Sequence, residues 1–357
     1  MKTVGYAALS ADRLETIIAH WRRSEVAVVG DFFLDRYLII DPELTEPSLE
    51  TGLDAYQVVE KRPQPGAAGT VTSNLAALEL AEIVAVGVIG DDGEGYELRQ
   101  AMSGGPVRTD HLISRPELMT PTYTKPMVRE DDGSLREINR LDMRNREPTA
   151  GDVEEAVIAH LRAAAGEVDA VIIADQEDLP ECGVITPGVV DAIAALAEEL
   201  HDTVFWADSR GDISRFRNVI IKPNSFEACR AAEVQFRDEP TLEQAVLAGQ
   251  RLFERNERLV VVTVGEQGLV LVGEGEPMHV PAVRVEGEID IVGAGDSFTA
   301  GMVAGLVVGG VSPVQAALIG SLVASITIQQ IGTTGTASPE QIMQRLEDIQ
   351  AGRVAGR

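Results

Sequence analysis

Continuous apolar runs alternate with helical patterns along most of this chain. The runs Val26–Asp31, Ile83–Ile89, Ala170–Ala174, Thr203–Asp208, Val219–Lys222 and Leu259–Val264 show little polar alternation, which suits strands buried on both faces of a parallel sheet. Helix starts stand between and after them. Thr186-Pro187, Ser312-Pro313 and Ser338-Pro339 each set a capping side chain before a first-turn proline, and Thr241/Gln244 and Ser338/Gln341 have capping-box spacing. The repeated strand–helix order predicts an α/β fold, a doubly wound, mostly parallel sheet with helices on both faces. Leu14, Ile17, Ile18 and Trp21 fall on one helical face, so residues 1–24 are expected as a helical extension and 25–357 as the main domain. The apolar stretch Phe298–Gly310 is too short to span a bilayer. Its Gly301, Gly305 and Gly309 are expected to let a helix approach a sheet closely.

Two segments, about 38–65 and 120–140, carry no long helix pattern. The second reads as a hairpin: Tyr123–Arg129, a turn at Asp131-Asp132-Gly133-Ser134, then Leu135–Asn139. Strands that leave a main sheet in this way predict a small β lid over a ligand. An open strand edge there is also expected to pair with a second subunit, giving a homodimer through the lid.

Charge narrows the partners. Fifty-seven acidic against thirty basic residues leave −27 on 357 residues, which argues against nucleic acid and against an anionic membrane surface. Two cysteines without C-x-x-C spacing make no disulfide framework or zinc site, and five scattered histidines supply no metal-binding pair. The N-terminus has no apolar leader core, so a cytoplasmic location is expected. Neither a P-loop, a G-x-S-x-G elbow nor a G-x-G-x-x-G fingerprint occurs.

The strongest chemical signal is Asp290-Ile291-Val292-Gly293-Ala294-Gly295-Asp296-Ser297-Phe298, directly before a small-residue-rich helix. Gly293, Ala294 and Gly295 leave backbone N–H groups open at a helix N-terminus, a nest for an anion such as a transferring phosphoryl group. A carboxylate at that point makes chemical sense if Asp296 faces the nucleophile and takes a proton from an alcohol as it attacks phosphorus.

This segment resembles the second signature, D-T-x-G-A-G-D, of the ribokinase-like (PfkB) family of carbohydrate kinases, and further likenesses run from about Val26 to Ile349. Gly66-Ala67-Ala68-Gly69-Thr70-Val71 with Asn74 is similar to the family's glycine-rich first signature, and Val86–Gly95 to its V-G-x-x-G-x-D-x-x-G. Lys222-Pro223-Asn224-Ser225-Phe226-Glu227 contains its N-x-x-E, and Thr263–Gly268 its T-x-G-x-x-G. The resemblance implies ATP-dependent phosphoryl transfer to a hydroxyl of a sugar or sugar phosphate. Asp296 would be the base and the Gly293–Asp296 amides the anion hole. Asn224 and Glu227 would place Mg²⁺ through water. Asn224, Thr263, Gly265 and Gly268 would lie at the nucleotide phosphates, and the adenine near Gly332–Gly335. Asp31, Asp35, Gly66, Ala67, Asn74 and Arg140 would face the sugar.

Within the family, Gly30-Asp31-Phe32-Phe33-Leu34-Asp35-Arg36-Tyr37, Arg140-Leu141-Asp142 and Asp208-Ser209-Arg210-Gly211 resemble the heptose-phosphate kinase branch. The nucleotidyltransferase domain fused to some heptose kinases is expected to be absent. Thr70 stands where the family has asparagine and Ile291 where it has threonine. Asp175–Leu179 lacks the lysine of the branch's Asp-Tyr-x-Lys-Gly segment. The Thr70 and Ile291 departures keep open a catalytically silent sugar or nucleotide sensor, which the retained Asp296 opposes, and a nucleoside kinase on the same fold is a second alternative.

Overall fold

The apolar runs become strands whose side chains alternate between two cores. Val26, Val28, Ile83, Ala85, Ala170 and Ile172 enter one buried cluster, whereas Ala27, Val29, Val84, Val86, Val171 and Ile173 enter the other. Both faces are therefore covered, and no position along the strand needs to be polar. The computed structural model describes residues 1–130 and 132–354.

Among the described residues the large sheet has 11 strands. Its central parallel part runs Val260–Thr263, Ile220–Ile221, Val204–Ser209, Ala170–Asp175, Glu25–Gly30 and Glu82–Gly90. Leu269–Val272 and Met278–Val280 extend one side in antiparallel pairing. Residues 1–24 do not stand apart as an extension. Lys2–Thr3 pairs with the Met278–Val280 strand, and the helix Ala11–Trp21 buries Leu14, Ile17, Ile18 and Trp21 in the first core. The Trp21 indole N–H donates to the Leu78 carbonyl at 3.0 Å.

The predicted caps form. Thr186, Ser312 and Ser338 each cap a helix with proline in the first turn, and Thr241/Gln244 and Ser338/Gln341 close reciprocal capping boxes. One expectation is corrected. The small-residue helix Ala294–Leu306 approaches another helix, Pro313–Thr327, rather than a sheet. A Cβ at Gly301 would meet Val323 Cγ2 at 2.7 Å and one at Gly305 would meet Ala316 Cα at 3.1 Å, while Gly309 lies beyond the helix. Among the described residues, no helix is long and apolar enough to cross a membrane.

A second sheet of five strands stands off the first. Phe32–Pro47 lies between Asp54–Ala67 (antiparallel) and Thr122–Arg129 (parallel), and the latter also pairs with Leu135–Glu137 and Leu141–Met143. The hairpin's strands are thus as expected. Of its turn, Asp131 is outside the described residues, and Glu130 N–H donates to the Ser134 carbonyl at 2.9 Å. The helix Gly93–Met102 supports one face of this sheet, where Arg36 pairs with Glu94 at 2.9 Å and Glu97 at 3.1 Å.

Candidate active site

Strand order reverses between Glu25–Gly30 and Ala170–Asp175, and in such sheets ligands bind beyond the carboxyl ends of the strands at the reversal. Asp31, Asp175, Asp208, Lys222 and Thr263 lie at or just past those ends.

The helix Ala294–Leu306 starts from Gly293 at φ 77°, a left-handed conformation that glycine adopts freely. A Cβ at Gly293 would lie 3.3 Å from Thr334 Cγ2 and 3.4 Å from Thr70 Cγ2, so both threonines flank the turn. The expected nest is smaller than its sequence suggests. The Ala294 N–H donates to the Ile291 carbonyl at 3.1 Å, whereas the N–H groups of Gly295 and Asp296 have no backbone acceptor among the described residues. The Lys222 ammonium lies against this opening: a Cβ at Gly295 would be 3.5 Å from Nζ, and Asp208 Oδ2 is 2.8 Å away. Burial pulls Lys222 down, but Asp208, Glu227 and Asp296 outweigh it and hold the ammonium above its ordinary pKa. Asp296 is partly exposed. Crowding by protein pushes its carboxyl up to about 7, Asp208 and Asp35 push the same way, and Lys222 and Arg210 pull it back.

Asn224 and Glu227 form a capping box. Asn224 Oδ1 accepts from the Glu227 N–H at 2.9 Å, and Glu227 Oε2 accepts from the Asn224 N–H at 2.7 Å. One carboxylate oxygen of Glu227 is left over. Burial pushes Glu227 up, its bond from Asn224 lowers it, and Asp208 raises it again. Among the described residues no cluster of three or more His, Cys, Asp or Glu could cage a metal. A spare carboxylate oxygen on Glu227, whose charge reaches Lys222 as that of Asp296 does, fits Mg²⁺, which keeps several waters and takes few protein ligands.

The N-x-x-E and T-x-G-x-x-G segments meet directly. Asn224 bridges to Thr263 in a parallel pair, and the Thr263 N–H donates to the Pro223 carbonyl at 3.0 Å. Gly265 leaves open space where a side chain would stand. Gly268 does not, because a Cβ there would lie 2.1 Å from the Val280 carbonyl oxygen. Packing against the neighbouring strand therefore accounts for that glycine.

The other face of the small sheet carries Phe33, Asp35 and Tyr37, flanked in register by Gly66, Gln64 and Arg62 on one side and by Tyr123 and Lys125 on the other. Lys125 Nζ is 2.9 Å from Asp35 Oδ1 and 3.3 Å from the Tyr37 hydroxyl. Burial alone would lower Lys125, yet Asp35 and Tyr37 hold it above its usual pKa. Gly66 makes room for Asp35, whose Oδ2 would be 2.7 Å from a Cβ there. Ala67 holds φ 54° at the start of the helix Ala68–Ala77, a strained conformation for a residue with a side chain. The Arg140 guanidinium is tied to both oxygens of Asp142, at 2.7 and 2.8 Å, and lies 4.5 Å from the Tyr123 ring centre.

Two residues expected to face the sugar are engaged elsewhere. Asp31 is buried and accepts backbone N–H bonds from Gln176 at 2.8 Å, Glu177 at 2.9 Å and Val184 at 2.7 Å, so it builds the loop after Ala170–Asp175. Asn74 is buried within its helix, its amide donating to the Thr70 carbonyl at 3.0 Å. Asp92 anchors the root of the small sheet, accepting from Thr120 Oγ1 at 2.7 Å and from the Thr120 N–H at 2.8 Å. The Gly332 N–H donates to Asp290 Oδ2 at 3.2 Å, bringing that loop beside the nest.

Sequence reasoning did not single out Asp208, Lys222, Lys125 or Gln64 as site residues. Lys222 could have been found as the first charge after an apolar strand in a parallel sheet. Lys125 shares its strand face with Tyr123 by alternation, but its ion pair with Asp35 has no local signal.

The description "pfkB family carbohydrate kinase" matches residues 25–341. The Bifunctional protein HldE of Pelobacter propionicus is 30% identical over 333 residues, covering 92% of this chain and 64% of that protein. That of Geobacter metallireducens is 30% identical over 334 residues with the same coverage, so the chain spans 64% of the length of these relatives. Among solved structures, Arabidopsis thaliana ribokinase complexed with ribose and ATP superposes with a TM-score of 0.64 at 20% identity, covering 91% of this chain and 99% of that one. Thermotoga maritima ribokinase gives 0.60 at 19%, with coverage of 91% and 99%. With the fold, the ordered motifs and a family match over most of its length, this chain belongs to the pfkB family of carbohydrate kinases.

Proposed function

We propose that the protein transfers the γ-phosphoryl group of ATP to a hydroxyl of a sugar or sugar phosphate, with Asp296 as the general base. The observation that carries this reading is Asp296 itself, held near neutrality at a helix start whose open N–H groups and neighbouring Lys222 suit an anion. A base in that range is ionised enough to act and basic enough to accept an alcohol proton. The alcohol oxygen attacks the γ-phosphorus, its proton passes to Asp296, and the bond to the β-phosphate oxygen breaks to release ADP. The Gly295 and Asp296 N–H groups and Lys222 stabilise negative charge on the transferring group. Glu227 and Asn224 would hold Mg²⁺ through water, where it would neutralise phosphate charge.

Asp35, Gly66 and Lys125 line the acceptor side. The small sheet, with segments 38–65 and 120–140, acts as a lid that excludes water, and its outer strand Asp54–Ala67 pairs with a second copy. The experiment is ADP release with ATP and Mg²⁺ over a panel of sugars, sugar phosphates and nucleosides. Acceptor-dependent release with sugars or sugar phosphates is expected. Release with nucleosides alone would make it a nucleoside kinase, and no acceptor-dependent release would favour the silent sensor.

A further inference from the structure

Gln64 sits at a junction that the reaction outlined above does not use. In the small sheet it is the direct register partner of Asp35, on the face that carries Lys125 and Tyr123. Its carboxamide leaves the sheet and donates to Thr333 Oγ1 at 2.9 Å, in the Gly332–Gly335 loop. That loop packs Thr334 beside Gly293 and is tied through Gly332 to Asp290, at the two ends of the anion-nest turn. Gln64 Oε1 is buried without a partner among the described residues. Among the described residues Thr333 is thus the one partner of this part-buried amide, and parting the two would remove its hydrogen bond. Sheet and loop are therefore held to one arrangement.

We propose that Gln64 is a positioning residue that couples the acceptor-facing sheet to the nucleotide-facing loop, so that nucleotide and acceptor each favour the other's binding. The coupling is reciprocal by linkage. It rests on the reading that nucleotide phosphates occupy the Gly293–Asp296 nest.

Hydrogen exchange of the full chain, with and without the non-hydrolysable analogue AMP-PNP and Mg²⁺, tests it without an identified acceptor. In the parent protein the analogue should slow exchange both at 293–306 and in the strand Asp54–Ala67, the latter by about 5-fold or more. Gln64→Ala should keep the first effect and lose the second. Thr333→Val breaks the same bond from the loop side and should also lose the strand effect, whereas Thr333→Ser, which keeps the hydroxyl, should retain it. Exchange in the core strand Ala170–Asp175 reports folding of each variant in the same data. Strand protection undiminished in Gln64→Ala or Thr333→Val overturns the coupling. Protection of the nest without the strand in the parent overturns it too, and leaves the kinase reading standing. Protection of neither overturns both.

Discussion

Lys222 Nζ lies 2.8 Å from Asp208 Oδ2 at the ends of adjoining parallel strands, and its charge reaches Asp296 across the opening of the anion nest. A buried lysine between two acids keeps its proton, and it draws the Asp296 carboxyl down. Asp208 takes part of the lysine's field while adding its own negative charge. Burial first, then the charge of Asp208, pushes Asp296 up to about 7 against the pull of Lys222, above the usual carboxylate range.

If Asp296 removes the alcohol proton, Asp296→Asn should lower kcat by roughly 10²–10⁴-fold. The KM values for ATP and acceptor should move far less, because the lost interaction belongs mainly to the transition state. ADP-release kinetics measure both. A variant that turns over at the parent rate would reduce Asp296 to an ordinary helix-start carboxylate.

The pH profile provides a separate check. The base must be ionised, so kcat/KM should rise with pH through about 7 in the free enzyme, following Asp296. Asp208→Asn removes a charge that raises Asp296 and releases Lys222 toward it, and both changes favour the carboxylate. The acidic limb should therefore move to lower pH. If it stays in place, another group controls the limb.

For the cation, Glu227→Gln isolates charge from structure. Glutamine is an accepted partner in a capping box, so the turn from Asn224 into the helix Ser225–Ala231 should persist. The Mg²⁺ concentration for half-maximal rate should rise roughly 10–100-fold, the range found when groups supporting a metal are altered. A Mg²⁺ titration at saturating ATP measures it. An unchanged midpoint would confine Glu227 to capping.

Asp31 should matter for stability more than for catalysis. Asp31→Ala leaves the N–H groups of Gln176, Glu177 and Val184 without their acceptor, and urea unfolding should show a loss of about 3 kcal/mol or more. The pH dependence has a definite sign. Burial raises its carboxyl to about 6, the bond from Val184 opposes this, and Asp175 adds to it. A proton is then held in the folded state that the unfolded chain releases near pH 4. Asp31's contribution is fullest in acid and declines as pH rises through about 6. The stability difference between parent and Asp31→Asn should follow that decline, and a flat difference would contradict it.

Much of the framework is local and was therefore legible along the chain. An apolar run at Ala170–Ala174 has to be covered on both sides, and Ser338-Pro339 with Gln341 caps a helix whatever surrounds it. The turn Gly293–Gly295 before a helix likewise announces open N–H groups, because those at a helix start belong to the backbone, although the fold engages the Ala294 N–H with Ile291. What the chain order leaves open is which side chains meet. Asp31 and Asp35 stand four residues apart and look alike in sequence. Tertiary packing buries one against the loop 176–184 and pairs the other with Lys125 from a strand ninety residues on. The spacing of Gly301 and Gly305 announced a close approach, and only the folded core supplied a helix as the partner. Gln64 meets Thr333, and Lys222 meets Asp208, across strand and loop ends that the winding of the sheet brings together. Hydrogen-bonding periodicity acts over a few residues and can be read directly. Ion pairs and buried polar contacts depend on distances that exist only once the sheet has closed.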